Sequence, residues 1–99
     1  MPDIHCFCKD LKGGLEEFAK LYKFYDSLLN KTGLPFAIAF RTVKDFWQDN
    51  QNYLRDRLKE SGKDGVIEIL NVMKHYWNLK HEFNYIDSLG EGIQLSTVQ

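Results

Sequence analysis

The sequence has little of what usually signals location or chemistry. Its two cysteines, Cys6 and Cys8, are one residue apart. Same-face neighbours on a strand lie roughly 7 Å apart, too far for an unstrained disulfide, so reduced thiols and a cytoplasmic setting are expected. There is no basic excess: 13 Lys and Arg stand against 14 Asp and Glu, for a net charge of -1. That balance argues against nucleic acid as the main partner, because phosphate binding rests on a positive field. No apolar run is long enough to span a membrane, and Met1-Pro2-Asp3-Ile4-His5 lacks the basic and apolar regions of a secretory leader. There is no internal repeat, no Gly-rich phosphate loop, no Gly-x-Ser-x-Gly and no His-Glu-x-x-His. These absences lead us to expect no enzyme activity, no cofactor, no bound metal and no membrane partner.

What is abundant is aromatic. Seven Phe, five Tyr and two Trp make up 14% of a chain that is 43% apolar and 27% charged, so an ordered core built from rings is expected. Gly33 and Gly62 suit positions just past helix ends, Pro35 a first helical position and Asp64 an N-cap. Leu15, Phe18, Tyr22, Tyr25 and Leu29 recur at helical spacing. Phe36, Phe40, Val43, Trp47, Leu54 and Leu58 do the same with an interruption at Asn50, and Ile69, Val72, Tyr76, Leu79, Phe83 and Ile86 form a third stripe. The predicted fold is all-α: a single domain over 1–99 with an antiparallel three-helix bundle at about 15–32, 35–60 and 64–89. Segment 1–14 would cover the bundle and 90–99 would be a strand-like or disordered tail. A competing reading makes 36–43 a strand, since Phe36, Ile38 and Phe40 also alternate; the alanines between them and the three-four spacing favour helix.

Val66, Leu70, Met73 and Trp77 form a second apolar stripe on the third predicted helix, about 120° from the first. Lys80 and Asn84 continue that line. Something should cover it, either the N-terminal residues Ile4, Cys6, Phe7, Cys8 and Leu11 or a second chain. This stripe is the basis of the functional expectation: a non-enzymatic interaction module (adaptor, inhibitor or immunity-type factor) that binds a protein partner, or a second copy of itself as a homodimer. Its surface would centre on Met73, Trp77, Lys80, His81 and Asn84.

Two alternatives accompany it. His5-Cys6-Phe7-Cys8 carries soft ligands, and a metal or redox role would need a further ligand from Asp10, His75 or His81. Arg55, Arg57 and Lys59 beside Tyr53 could bind nucleic acid weakly, although Asp56 and Glu60 dilute the charge. The remaining polar stripes, Asp45-Asp49-Asn52-Asp56 and Glu68-Asn71-His75-Asn78-Glu82, read as solvated helix faces, and no Glu-x-x-His pair marks a dimetal site.

Overall fold

The computed structural model describes residues 5–99 and is an α/β fold. In chain order it contains α1 (Leu11–Asn30), β1 (Phe36–Val43), α2 (Lys44–Ser61), β2 (Gly65–Leu70), β3 (Leu79–Ile86) and β4 (Gly92–Val98). The strands form one mixed sheet in the order β2-β1-β3-β4. β1 and β2 are parallel and joined through α2, while β3 runs antiparallel to both β1 and β4.

The predicted all-α bundle is therefore incorrect. Only its first helix persists, beginning at Leu11 because the Asp10 carboxylate caps it by accepting from the Gly13 N–H at 2.8 Å. The predicted second helix divides at Val43 into a strand and a helix. The predicted third helix is two strands and the turn between them. Its three-four stripe combined residues from separate strands with residues of that turn. The tail, expected to be strand-like or disordered, is a strand: it pairs with β3 as β4. Among the described residues of the N-terminal segment, Cys6 and Cys8 are exposed, Phe7 is fully so and Leu11 is largely so, while Ile4 lies outside the described residues. The segment has no helix-three stripe to cover, because that helix does not exist.

Local chemistry accounts for the boundaries. Gly62 ends α2 with φ 66°, and its N–H reaches the carbonyls of Leu58 and Lys59. Asn50 breaks the regular geometry inside α2 (φ -132°, ψ 26°), and its side-chain amide donates to the Phe46 carbonyl at 3.1 Å. The segment Val66-Ile67-Glu68-Ile69 is rich in β-branched residues, which suit a pleated strand better than a helix.

Both helices pack on one face of the sheet. Alternate residues of β1 (Ile38, Phe40, Thr42) and β3 (Leu79, His81, Phe83) point toward them and are buried. From α1, Phe18, Tyr22 and Tyr25 join this core, and α2 adds Phe46 and Leu54. Tyr22 stacks on Phe40 at 5.7 Å between ring centroids and meets the edge of His81 at 4.7 Å. Its hydroxyl donates to Ser61 at the end of α2. Likewise Tyr53 of α2 donates to the Leu15 carbonyl of α1 at 2.6 Å, so phenol hydroxyls tie the helices together. Burial pushes the Tyr22 phenol up to about 12, which keeps it neutral.

His81 is the unusual core residue. It is wholly buried, ringed by Phe18, Tyr22, Phe40 and Phe83, and neither ring nitrogen has a hydrogen-bond partner. Burial lowers its pKa from 6.5 to about 3. The folded state therefore holds the neutral imidazole, whereas the unfolded chain takes up a proton below 6.5. Stability should fall by about 1.4 kcal/mol per pH unit as pH drops from 6.5 toward 3, through this residue alone. Urea melts across that range measure the slope; His81→Phe should remove this component and raise stability at low pH most.

Gly65 sits where β2 passes under α2. A Cβ there would lie 2.5 Å from Leu58 Cδ2 and 3.2 Å from the Ile38 carbonyl. The leucine can swing away but the backbone oxygen cannot, so Gly65→Ala should cost about 1–3 kcal/mol in chemical denaturation.

Candidate functional site

Among the described residues, helices on one side leave the other side of the sheet uncovered, and that face is mostly polar. In β1 it presents Ala37, Ala39 and Arg41; in β3, Lys80, Glu82 and Asn84; in β2, Val66 and Glu68; in β4, Gln94 and Thr97. The register sets Arg41 directly opposite Lys80 on one side and Glu68 on the other. Two cations facing each other across strands repel, and two carboxylates offset this. Glu68 reaches Arg41 Nε at 3.1 Å. Glu82 bridges the pair, with Oε1 at 2.8 Å from Lys80 Nζ and Oε2 at 3.7 Å from Arg41 Nη2.

The two carboxylates differ in kind. The Glu68 and Arg41 side chains are 53% and 45% exposed, so their pair is solvated and weak. Glu82 and Lys80 are only 7% and 17% exposed, so that pair is held in place. Beside them Thr97 Oγ1 is buried without a hydrogen-bond partner, and Ala37 and Ala39 rise no higher than a methyl group. The face can thus offer a fixed cation at Lys80, an exchangeable one at Arg41 and a backbone that a ligand can approach closely.

The connection between β2 and β3, residues 71–78, stands at the carboxyl ends of the two parallel strands. The Asn78 carbonyl accepts from the Val43 N–H at 3.1 Å and from the Thr42 hydroxyl at 3.0 Å, which fixes the base of the loop to β1. Farther out, the Tyr76 hydroxyl pairs with Gln99 Oε1 just past β4. A cleft of about 460 Å³ opens there, lined by Lys44, Asp45, Asp49, Asn71, Val72 and Met73 among others.

The residues expected to form one binding surface are divided by this fold. Lys80 and Asn84 lie on the uncovered face of β3, and Met73 and Trp77 on the 71–78 loop. His81 points the opposite way into the core and cannot join them. Arg41, Glu68 and Glu82 were missed as a group, because Glu68 and Glu82 read as a solvated helical stripe. The signal was the period-two alternation of Lys80-His81-Glu82-Phe83, polar against core.

The other candidates also acquire definite positions. Cys6 and Cys8 are free thiols with their sulfurs 3.8 Å apart, and among the described residues no group of three or more His, Cys, Asp and Glu gathers to hold a metal. Tyr53 is covered by the Arg57 guanidinium, 4.7 Å above its ring, and Arg57 also pairs with Glu60, so that ring is not open to a base. No helix among the described residues is long and apolar enough to cross a membrane.

Comparison with known proteins changes the functional expectation. No family model matches the chain. Its whole length is similar to threonine–tRNA ligases: 38% identical over 102 residues to that of Thermococcus kodakarensis and 40% over 103 residues to that of Methanobrevibacter smithii. The chain spans 16% of the length of these relatives. Its fold resembles the RNA binding domain of threonyl-tRNA synthetase from Cryptosporidium parvum, with a TM-score of 0.61 and 21% identity, covering 86% of this chain and 22% of that one. Two expectations fall together. The adaptor, inhibitor or immunity-type reading is overturned, since the relatives are ligases that act on tRNA. So is the expectation that nucleic acid is an unlikely partner, drawn from the balance of charge, since the relatives are tRNA ligases and the similar fold is that of an RNA binding domain.

The contrast between the two carboxylates is measurable. Glu82→Gln strands a mostly buried lysine and should cost about 2 kcal/mol. Glu68→Gln should cost less than about 0.5 kcal/mol. Equal losses in parallel urea titrations would contradict the assignment of Glu82 as the fixed member.

Proposed function

We propose that the chain is a tRNA-binding unit of the threonine–tRNA ligase type, and we assign it the holding of tRNA, not a bond-making step. The observation that carries this reading is the similarity to threonine–tRNA ligases along its full length. The resemblance in fold to a synthetase RNA binding domain agrees with it. We place the protein in the cytoplasm, a setting consistent with its two free thiols.

The uncovered sheet face is the surface that fits this role. An RNA phosphate approaching Arg41 competes with Glu68 for the guanidinium, and the exposed ion pair is weak enough to be exchanged. Lys80, held by Glu82, stays in place as a second cation opposite Arg41. The methyl-sized residues upstream on β1 let the sugar-phosphate chain come close to the sheet. Such contacts position an RNA without reading its sequence.

Electrophoretic binding to a threonine-accepting tRNA tests the reading. With two phosphate contacts, affinity should fall about tenfold between about 50 and about 200 mM salt. Arg41→Gln, a change at an exposed position, should weaken binding and reduce the salt slope by about 1. An absence of binding to tRNA at low salt would overturn the proposal. A slope unchanged in Arg41→Gln would remove the sheet face from it.

A further inference from the structure

The 71–78 loop has a composition that the sheet face does not explain. From Ile69 to His81 the chain contains no acidic residue, although acids outnumber bases overall. Within that stretch lie Lys74, His75, Tyr76 and Trp77. His75 and Trp77 stack nearly parallel, with ring centroids 4.9 Å apart and an interplanar angle of 16°. Trp77 is half-buried and His75 exposed, so the stack is anchored at the indole and presents the imidazole outward. Earlier in the same loop, Met73 and Val72, 53% and 62% exposed, line the cleft at the ends of β1 and β2 together with Asp45 and Asp49 of α2.

This is an uneconomical arrangement for a solvated turn. Large rings and a methionine left in water on a rigidly based loop lose the burial that would stabilise them. A flat face of stacked rings with a lysine next in the chain does suit an unpaired nucleobase and its phosphate: every base has a π face, and a cation within reach meets the backbone charge. The loop itself carries no carboxylate; the acids of the adjoining cleft, Asp45 and Asp49, belong to α2 and lie on its Val72–Met73 side, so a phosphate is better received at Lys74 than in the cleft. The base of the loop is already ordered by the Asn78 contacts to β1, and its far side by Tyr76 on Gln99, so less ordering is lost on binding.

We propose that the 71–78 loop is a base-stacking platform for unpaired nucleotides of the bound RNA, with the His75–Trp77 stack receiving a base and Lys74 its phosphate. The proposal rests on the tRNA reading above and names the part of the RNA that this loop meets: a single-stranded stretch instead of a helical stem.

The full chain carrying Trp47→Phe leaves Trp77 as the only indole, so its fluorescence reports on the loop. Titration with a short single-stranded oligoribonucleotide should quench this signal, and a duplex of the same length should not. Intact tRNA should quench it as well. Trp77→Ala and His75→Ala should each weaken oligonucleotide binding by about tenfold while leaving the salt slope unchanged, since stacking releases few counterions; Lys74→Gln should lower the slope by about 1. If tRNA binds but neither ring substitution alters its affinity and Trp77 is not quenched, the platform is wrong and the tRNA reading stands. If the oligonucleotide quenches Trp77 but tRNA does not bind, the platform stands and the tRNA reading fails. Failure of both probes overturns both. Circular dichroism and urea melts of each variant separate loss of contact from loss of fold.

Discussion

Phe40 and His81 face each other across β1 and β3, and the ring of Tyr22 closes on both. The rest of the structure is arranged around this contact. It sets α1 over the centre of the sheet, and the hydroxyl at the far end of the same tyrosine ties α1 to the last turn of α2. Phe18 and Phe83 complete the cluster. A histidine can occupy the middle of it only as the neutral ring, and that requirement makes the core sensitive to acid.

Packing both helices on one face has a consequence on the other. A strand's side chains alternate, so each residue committed to the core leaves its neighbour pointing into the open. His81 lies inside because Lys80 and Glu82 lie outside, and Phe40 is buried while Arg41 is not. The polar face is thus the complement of the core. Its two facing cations are tolerated because one carboxylate is held firmly between them and another can leave.

The loop after β2 brings a different chemistry to the end of the same sheet. The face offers charge at fixed spacing; the loop offers flat rings with a lysine next in the chain. An RNA that crosses from one to the other would meet phosphate contacts first and stacking second. These are the two elements from which sequence-tolerant binding of nucleic acid is built.

The amino-acid sequence by itself determined the composition of the core and part of the punctuation, while Pro35 and Asp64, read as helix starts, precede the strands β1 and β2. Gly33, Gly62 and Gly90 take positive φ, the first helix follows the stripe through Phe18, Tyr22 and Tyr25, and the aromatic residues supply most of the interior. Trp77 and Met73 stood out only as members of an apolar stripe at helical spacing, and the structure places both on the loop between β2 and β3. Only the tertiary structure decided whether the remaining apolar residues were helix or strand. Ile69, Val72, Tyr76, Leu79, Phe83 and Ile86 satisfy a helical period, but pairing of β1 with both β2 and β3 buries Phe40, His81 and Phe83 together under the helices. Such pairings join residues far apart in the chain, and no local window contains them. The position of Arg41 opposite Lys80 exists only once that register is set, which is why a chain with no net positive charge still carries a pair of facing cations on one surface.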